Sequence, residues 1–530
     1  SAVLVAFVLL STTYSLIVPP FEASDELWHY PMVKTIADNW SLPVQDPADV
    51  GPWRQEGSQP PLYYILGALS TFWIDTSDMH EVRHLNPHVD NGIATPDGNV
   101  NLVVHRPGRE AFPWKGTILA IHVVRFLSIL MATAGVYLTY LIAREVLPGR
   151  PALALGATAI HAFTPMVVFI AGSVNNDNLV VPLSSLALLI LLRLLRRQDL
   201  TFRSAAARYG LLGIVLGLAA LTKASSLGLT LLTALVVTIR ALRRGRRSVD
   251  ETDIKGWHEF VTGGLLTLLP LLIIAGWWYL RNLRLYGDLT GLNAFIEILG
   301  KRDVPASLAQ LWRERYSFLV GYWGNFGGLN VPMSRWVYRV LNGALVIAGL
   351  GPVVWLIRSR VRAIEEDRSA AIAEESTSGI WIPGLILCVL SALAVLIPWI
   401  QWARVTWSSQ GRLVFAALAV WSMLLALGLG AWLPRRREYW TVGVFALFLL
   451  SISMAAPFVW IRPAYRRPQP IPQREIDDIP GQMSVDFGDT MRLLGYDLED
   501  EATSPGGQVA VTLYWEALAP TDVDYTVFVH

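Results

Sequence analysis

Long apolar runs, repeated along most of the chain, constrain its fold more than any other feature of the sequence. A helix that crosses the hydrocarbon core of a bilayer needs about 20 predominantly apolar residues. Runs near this length occur at 1–18, 116–143, 151–172, 178–195, 209–222, 226–242, 259–280, 337–357, 380–400, 412–433 and 439–460. They predict an all-α polytopic membrane protein with about eleven transmembrane helices. The composition agrees, because 53% of the residues are hydrophobic and only 16% are charged, against roughly a quarter charged in soluble proteins.

Arginine clusters in every second loop between these runs indicate the orientation of the chain. The clusters lie at 144–150, 193–203, 243–247, 358–362 and 435–437. Short loops rich in Lys and Arg face the cytoplasm. The two long intervening loops, 19–115 and 281–336, are then predicted to be extracytoplasmic, in a multi-pass protein of the plasma (inner) membrane. The apolar stretch 59–74 is short for a span, so we interpret it as an interfacial helix within the first outer loop.

The residues after 460 differ in character from the predicted transmembrane domain, 1–460. Prolines are frequent in 461–480, which predicts a stiff linker. Within 481–530, side chains alternate as in a strand over 509–515, and 524–530 has a similar pattern. We expect an extracytoplasmic β-sandwich domain to begin here. Because the chain begins inside an apolar run and ends inside a strand-like run, we expect it to be a fragment of a longer protein.

Net charge and cysteine content exclude several classes of function. The formal net charge is +1, so no global positive field favours nucleic acid as a partner. Cys388 is the single cysteine, so neither an intrachain disulfide nor a cysteine-based metal site can form. The sequence also has no glycine-rich phosphate-binding loop.

Acidic residues in the first outer loop are candidates for catalysis. Asp25 and Glu26 follow the first span closely, and Glu56 comes shortly before Pro60 and Pro61. A carboxylate at a low-dielectric boundary has a raised pKa, which makes it a better general base. The alternative is that these acids only solvate the loop, as charged loop residues usually do.

Four cations lie at the outer ends of predicted spans, where the positive-inside rule disfavours them. They are Arg125, Lys223, Arg281 and Arg412. Binding of a lipid phosphate is one reason to keep cations at this level of the membrane. Snorkelling toward the headgroups is the alternative for any one of them.

The predicted outer turn at 173–178 is rich in polar side chains, with Asn175, Asn176, Asp177 and Asn178 in a row. Such residues commonly cap helices. Their amide and carboxylate groups also bind sugar hydroxyls well. The sequence alone favours the two interpretations about equally.

The segment from His80 to His84 matches H-E-x-x-H, the zinc metalloprotease motif, with Glu81 at the position of the base. Asn86 and Pro87 end any helix directly afterwards, and a third ligand is not obvious from the sequence. A zinc metalloprotease is therefore a minor alternative.

Taken together, several short motifs resemble the GT-C superfamily of membrane glycosyltransferases, which includes protein O-mannosyltransferases and the aminoarabinose transferases of lipid A. The similarity is closest to a bacterial branch of family-39-like membrane proteins, and it covers nearly the whole chain. The motifs that carry it are the Asp25-Glu26 pair, Glu56 before Pro60-Pro61-Leu62-Tyr63-Tyr64, Arg125-Phe-Leu-Ser128, Asn175-Asn-Asp177, Leu221-Thr-Lys223, Trp278-Tyr-Leu-Arg281-Asn282, Tyr286-Gly-Asp288, Trp323-Gly-Asn-Phe-Gly327 and Gln410-Gly-Arg412.

The resemblance implies an inverting transfer of a sugar from a polyprenyl-phosphate donor to an extracytoplasmic protein, lipid or glycan. It implies that Asp25 or Glu26 acts as the base and that Glu56 assists. The residues it assigns to the donor phosphate are Arg125, Lys223, Arg281 and Arg412. Those it assigns to substrate binding are His29, Gln59, Tyr63, Tyr64, Asn176, Asp177 and Asn282.

One position departs from the family pattern. Relatives usually carry His or Lys where Gln59 stands, and glutamine neither supplies charge nor takes up a proton. An idle relative, or a non-catalytic protein that binds or transports carrier lipid or glycan, is therefore the alternative to a transferase. Few charges lie in the middle of the predicted spans, which disfavours transport. No set of ligands for a divalent cation is compelling, so the sequence leaves the cofactor open.

Overall fold

The computed structural model describes residues 1–95, 98–197, 201–247, 254–365, 379–466, 471–498, 509 and 511–521. The chain divides into two compact units, 1–465 and 466–530. The boundary between them lies within the segment that the sequence predicts as a linker.

The first unit is almost entirely helical. In chain order its helices are α1 (Ala2–Ile17), α2 (Glu26–Asn39), α3 (Leu62–Thr71), α4 (Met79–Val82), α5 (Pro107–Glu110), α6 (Gly116–Val146), α7 (Pro151–Phe163), α8 (Pro165–Ala171), α9 (Asp177–Arg196), α10 (Phe202–Ala220), α11 (Gly228–Arg247), α12 (Ile254–Leu271), α13 (Trp277–Tyr286), α14 (Leu292–Leu299), α15 (Leu308–Arg313), α16 (Arg315–Trp323), α17 (Arg335–Glu365), α18 (Ile382–Val405), α19 (Leu418–Gly430), α20 (Glu438–Ala456) and α21 (Arg462–Ala464).

Shorter elements link these helices. Turns of 3₁₀ helix lie at Arg54–Ser58, Ala224–Leu227 and Gly411–Ala417, and π-helical segments lie at Leu272–Gly276 and Pro457–Ile461. Strand β1 (Asn325–Phe326) pairs antiparallel with β2 (Val331–Pro332) in the second outer loop.

In the part of the chain that the structure describes, eight helices are long and apolar enough to cross a membrane, or nine if the bent pair α7–α8 is one span. The chain is therefore an integral membrane protein, but the predicted count of about eleven spans is not confirmed. The two remaining predicted spans also fold as helices. However, α1 has only 16 residues, and α10 begins with a polar stretch that includes Arg203 and Arg208.

The bend between α7 and α8 follows from one proline. Pro165 disfavours helical backbone angles at the residue before it, and Thr164 accordingly has the extended values φ −67° and ψ 120°. The two helices meet at 60°. All seven residues of α8 are buried, so this short helix lies inside the bundle.

The stretch 59–74, predicted as an interfacial helix, folds as α3, an apolar helix of ten residues. The hydroxyl of Tyr63 on α3 lies 2.7 Å from the Ser128 hydroxyl on α6, and it accepts a hydrogen bond from the Asn175 backbone N–H at 2.9 Å. Tyr63 thereby fixes α3 against α6 and against the turn before α9.

The second unit contains the short helix α22 (Gln473–Asp477) and three strands, β3 (Gly481–Phe487), β4 (Met491–Leu498) and β5 (Val511–Ala517). The strands form one antiparallel sheet in the order β3-β4-β5. The strand predicted at 509–515 overlaps β5, whereas the strand predicted at 524–530 lies outside the described residues. A single three-stranded sheet does not confirm the predicted β-sandwich.

Candidate functional site

Asp25 lies directly before α2, at the entrance of the first outer loop. Its φ of 63° falls in the left-handed region, which aspartate tolerates better than most residues. Its side chain makes no capping bond to the helix, because Oδ2 instead accepts a hydrogen bond from Nη2 of Arg412. Residues in sparsely populated backbone conformations cluster at functional sites, so this position is a candidate for chemistry.

A second ion pair lies beside the first. Lys223 Nζ donates to Asp177 Oδ1 at 2.5 Å, and Arg412 Nη1 lies 4.0 Å from Asp177 Oδ2. The side-chain oxygen Oε1 of Gln410 accepts a hydrogen bond from Arg412 Nε at 2.7 Å and so fixes the plane of the guanidinium. Asp25, Arg412, Asp177 and Lys223 thus form one continuous set of alternating charges, here named the charged centre.

The charged centre gathers residues that are far apart in sequence, each at the end of an element. Asp177 is the first residue of α9, where the helix dipole favours a negative charge. Lys223 directly follows the last turn of α10 and precedes a 3₁₀ turn. Arg412 lies in the 3₁₀ turn that leads into α19. Helix termini meeting at one level of the bundle place these side chains together.

Glu56, His29 and Tyr64 form a buried hydrogen-bonded group beside the charged centre. The Tyr64 hydroxyl donates to Glu56 Oε2 at 3.1 Å and lies 2.8 Å from His29 Nδ1. Burial, together with repulsion from Asp25, raises the pKa of Glu56 to about 8. Burial, opposed in part by Asp25 and assisted by the two nearby cations, lowers the pKa of His29 to about 4. At neutral pH both side chains are therefore uncharged.

Asp25 differs from Glu26 and Glu56 because its carboxylate is both charged and partly exposed. Burial alone would raise the pKa of Asp25. The positive charges of Arg412 and Lys223 oppose this effect and help to hold its pKa below the ordinary value. Its side chain is 20% exposed, whereas that of Glu56 is 3% exposed and that of Glu26 is 0% exposed. The raised pKa expected from the sequence is therefore found at Glu56 and not at Asp25. The case for Asp25 as a general base rests instead on a carboxylate that is ionised and reachable.

Gln59 and Asn176 extend the polar wall of the site. Asn176 Nδ2 donates to Gln59 Oε1 at 2.7 Å and lies 3.4 Å from the Tyr64 hydroxyl. Within the described residues, Asn175 Nδ2, Asn176 Oδ1 and Asp177 Oδ2 are buried and have no hydrogen-bond partner. A buried polar group left unpaired costs about 1–3 kcal/mol, so these atoms are suited to hydrogen bonds with a substrate.

Glu26 and Arg125 form a separate ion pair that is completely buried. The guanidinium donates to both carboxylate oxygens, at 2.9 and 2.5 Å, and to three backbone carbonyl oxygens at and just after the end of α1. Glu26 also accepts from two backbone N–H groups, one before α2 and one in the turn before α9. The pair therefore ties four segments together and keeps no hydrogen-bonding group free for a substrate.

Arg281 and Asn282 lie on α13, on the side that faces the first outer loop. Arg281 Nη2 donates to the Pro43 carbonyl oxygen at 2.8 Å, and its guanidinium lies 5.0 Å from the ring centroid of Trp278. Asn282 is fully buried, next to Ser58 at the end of the 3₁₀ turn that carries Glu56.

The H-E-x-x-H segment does not fold into the long helix that places two histidines on one face. Met79–Val82 forms a single helical turn, the His80 side chain is 78% exposed, and Glu81 pairs with Arg109. Over the described ranges of the chain, no group of three His, Cys, Asp or Glu side chains is placed to hold a metal ion. The motif gains no support as a zinc site.

Sequence reasoning missed the contributions of Gln410 and Gln55. Gln410 orients Arg412, and Gln55 Nε2 donates to Glu56 Oε1 at 3.1 Å. Each is one or two residues from a charge that the sequence did single out. An amide next to a candidate charge is the signal that could have found both.

An ion pair within the second outer loop, made by Arg302 and Glu314 and here named the loop clamp, was also missed. The guanidinium of Arg302 donates to both oxygens of Glu314, at 2.9 and 2.5 Å, and to the Thr406 carbonyl oxygen at 2.8 Å. The Ser409 hydroxyl donates to Glu314 at 3.2 Å. The clamp therefore holds the segment that leads directly to Gln410.

Comparison with known families gives one match. Residues 118–274 match the family described as dolichyl-phosphate-mannose-protein mannosyltransferase. The matched region covers under a third of the chain and includes Arg125, Asp177 and Lys223. It confirms the resemblance to the GT-C superfamily, of which protein O-mannosyltransferases are members. None of the curated proteins matches the chain.

Solved structures with a similar course of the chain share little sequence with it. ArnT from Cupriavidus metallidurans in the apo state has a TM-score of 0.48 at 14% identity, over 89% of this chain and 66% of that chain. The same protein bound to undecaprenyl phosphate has a TM-score of 0.46 at 14% identity, over 87% and 73%. The Archaeoglobus fulgidus oligosaccharyltransferase in the apo form has a TM-score of 0.40 at 15% identity, over 90% and 57%. At TM-scores below 0.5, these likenesses carry no functional weight.

Proposed function

We propose that this chain is a membrane glycosyltransferase that moves a sugar from a polyprenyl-phosphate carrier to an extracytoplasmic acceptor. The observation that carries the proposal is the charged centre, where the ionised and accessible Asp25 lies beside two cations at helix ends. The family match at residues 118–274 supports the same chemistry.

Lys223 and Arg412 are the residues that we assign to the carrier phosphate. A sugar phosphodiester carries one negative charge, and a second develops on the phosphate as the bond to the sugar breaks. Cations placed here stabilise the departing phosphate more than the bound donor, which lowers the barrier. The fork of Arg412 matches two phosphate oxygens, and Lys223 adds a compact point charge.

Asp25 is the residue that we assign as the base. The acceptor hydroxyl oxygen attacks the anomeric carbon while its proton passes to Asp25. The bond from that carbon to the phosphate oxygen breaks, and its electron pair leaves with the carrier phosphate. A single displacement of this kind inverts the anomeric configuration. Glu56, protonated at neutral pH, donates a hydrogen bond without adding a second negative charge next to Asp25.

The remaining sequence candidates take supporting roles in this proposal. His29, Gln59 and Asn176 line the site and bind hydroxyl groups of the substrates, and Tyr64 holds Glu56 in place. Glu26 and Arg125 support the entrance of the loop, because all their polar groups are used within the protein. We assign the charged centre to the extracytoplasmic face of the membrane, because arginine-rich short loops favour the cytoplasm.

The test is release of the carrier phosphate by purified protein in lipid nanodiscs, with a panel of undecaprenyl- and dolichyl-phosphate sugars as donors. Asp25→Asn should lower turnover by about 10²- to 10⁴-fold and leave donor binding in place. Lys223→Met should weaken donor binding as well as turnover. Asp38→Asn and Lys34→Met, which remove an ion pair on α2 with a 2.6 Å separation, are matched controls and should behave as wild type.

Two outcomes contradict the proposal. Wild-type protein that binds a donor but releases carrier phosphate from none of the panel, even with membrane extract as acceptor, is a binding protein and not a transferase. Equal turnover by Asp25→Asn and wild type removes Asp25 from the role of base.

A further inference from the structure

A second group of polar side chains, none of which belongs to the charged centre, lies between α13 and the first outer loop. Its members carry buried hydrogen-bonding atoms that have no partner among the described residues: Gln45 Oε1, Ser58 Oγ, Trp278 Nε1, Nη1 of the half-buried Arg281, and both Nδ2 and Oδ1 of Asn282. Trp278 and Asn282 are 0% exposed, Ser58 is 2% exposed and Gln45 is 4% exposed. We refer to these residues as the α13 polar layer.

Contacts place the members of the layer together. A Cβ atom at Gly291 would lie 3.1 Å from Ser58 Cβ and 3.2 Å from Asn282 Nδ2, so these two side chains flank the same glycine. Gly291 has a φ of 68°, and the absence of a Cβ there lets Ser58 and Asn282 approach its backbone closely. Gln45 donates through Nε2 to the Arg54 carbonyl oxygen at 2.6 Å, which holds it against the 3₁₀ turn that ends in Ser58.

The layer adjoins the charged centre through two segments. The 3₁₀ turn Arg54–Ser58 carries Glu56 into the site and Ser58 into the layer. Trp278 belongs to the same buried cluster as Leu221, two residues before Lys223. The Tyr279 hydroxyl donates to the Ala220 carbonyl oxygen at 2.9 Å and secures α13 to the end of α10. The layer and the charged centre are therefore held in place by the same two segments.

The energetics require the layer to have an occupant. Each buried polar group without a partner destabilises the folded state, and the native state of a domain is only marginally stable. Six such atoms in one region would use up much of that stability. Hydrogen bonds from a ligand or from water remove the cost.

The kinds of free group identify the occupant. Trp278, Arg281 and the Asn282 amide nitrogen offer donors, Gln45 and the Asn282 carbonyl offer acceptors, and the Ser58 hydroxyl does both. A phosphate or carboxylate only accepts hydrogen bonds and would leave two acceptors facing it. A hydroxyl group donates and accepts, so several hydroxyls on a rigid ring match the mixed set, and the apolar face of that ring suits Trp278.

We infer that the α13 polar layer is the subsite for the hydroxyl groups of the transferred sugar, bound while its phosphate lies at Lys223 and Arg412. This inference rests on the proposed function and names the part of the donor that this chain selects. Sugar recognition and phosphate binding are then separate, since different residues carry them out.

The test measures dissociation constants in nanodiscs for undecaprenyl phosphate, for a panel of undecaprenyl-phosphate hexoses and pentoses, and for the free methyl glycosides of the same sugars. Ser58→Ala and Asn282→Leu should each weaken binding of the preferred sugar-bearing lipid by roughly three- to tenfold. Both should leave binding of undecaprenyl phosphate unchanged. Ser422→Ala removes another buried hydroxyl without a partner, in α19, and should change neither constant.

Stability separates a ligand site from a structural role. Asn282 makes no hydrogen bond within the described residues, so Asn282→Leu should unfold no more easily than wild type in the absence of ligand. A variant that loses both sugar selectivity and ligand-free stability shows a structural role instead and overturns the inference.

The remaining outcomes are also distinct. Loss of affinity for the free glycosides, with the lipid-linked sugars unaffected, assigns the layer to an acceptor sugar instead of the donor. Unchanged constants for every sugar mean that ordered water alone fills the layer. Failure of wild type to bind undecaprenyl phosphate contradicts the proposed function itself, whereas normal binding of that lipid with no preference for any sugar contradicts only the subsite.

Discussion

Breaking the buried pair of Glu26 and Arg125 separates a structural role from a catalytic one. The sequence proposes Glu26 as an alternative base, yet the structure gives its carboxylate four hydrogen bonds and no exposure. In Glu26→Gln, an amide N–H replaces one acceptor and faces a donor, while the Arg125 charge stays buried without its counterion. Removal of one partner from a buried ion pair costs about 3–5 kcal/mol. We expect a loss of folding stability of that size.

The protein contains its own reporter of unfolding. Cys388 is the single cysteine and is fully buried in α18, so a thiol-reactive dye labels it only when the bundle opens. If opening and closing are fast relative to labelling, a loss of 3–5 kcal/mol raises the labelling rate by about a hundredfold to several thousandfold. Glu81→Gln, which breaks an exposed pair with Arg109, is the control and should change the rate by less than about fivefold.

The reasoning is refuted if Glu26→Gln labels at the wild-type rate. Should that stable variant also lose turnover, Glu26 acts in the chemistry and the assignment of Asp25 as the base is wrong. A variant that labels rapidly but retains turnover at low temperature agrees with a purely structural pair.

Two further predictions concern Glu56 and two concern the loop clamp. Turnover should fall as the pH rises through about 8, because Glu56 then ionises beside Asp25, and pH–rate profiles should lack this descent in Glu56→Gln. The free energy of unfolding should also fall as the pH rises from about 4.5 toward about 8, since the folded protein keeps a proton on Glu56 that the unfolded chain releases. In thermal unfolding measured across this pH range, Tm should change less with pH for Glu56→Gln than for wild type. Glu314→Gln should free the segment before Arg412 and raise the donor KM by roughly three- to tenfold, with a smaller effect on kcat, in steady-state kinetics. Arg302→Lys should give a smaller change of the same kind. Lysine keeps the positive charge beside Glu314 but cannot reproduce the two parallel hydrogen bonds.

The sequence predicts the helices better than their roles. Runs of apolar residues locate nearly every long helix, because crossing a membrane demands length and apolarity that are visible in a single segment. The two predicted spans that fail a strict test fail for local reasons, namely the shortness of α1 and the arginines at the start of α10. Proline before α8 likewise explains a bend that periodicity alone does not reveal.

The candidate site depends on contacts that no single segment encodes. Four cations at outer helix ends are equivalent in sequence, yet Lys223 and Arg412 meet Asp177 and Asp25, whereas Arg125 meets Glu26 from 99 residues away. Tertiary packing decides which acid each cation meets, and hydrophobic patterns do not record it. The adjacency of acid and cation therefore had to come from the fold.

The pairing of Asp25 with Arg412 sets an order of events under the proposed function. An acceptor that enters the empty site meets a carboxylate with Oδ2 already bonded to a guanidinium, which makes Asp25 a weaker proton acceptor than a free carboxylate. A donor that enters first brings a phosphate that competes for the same guanidinium and sets the carboxylate free. Binding of the donor before the acceptor is therefore the favoured order under the proposed function, because the base is strongest once the donor phosphate has engaged Arg412. Binding of the carrier phosphate to Arg412 thus exchanges one ion pair for another and makes Asp25 available to the acceptor.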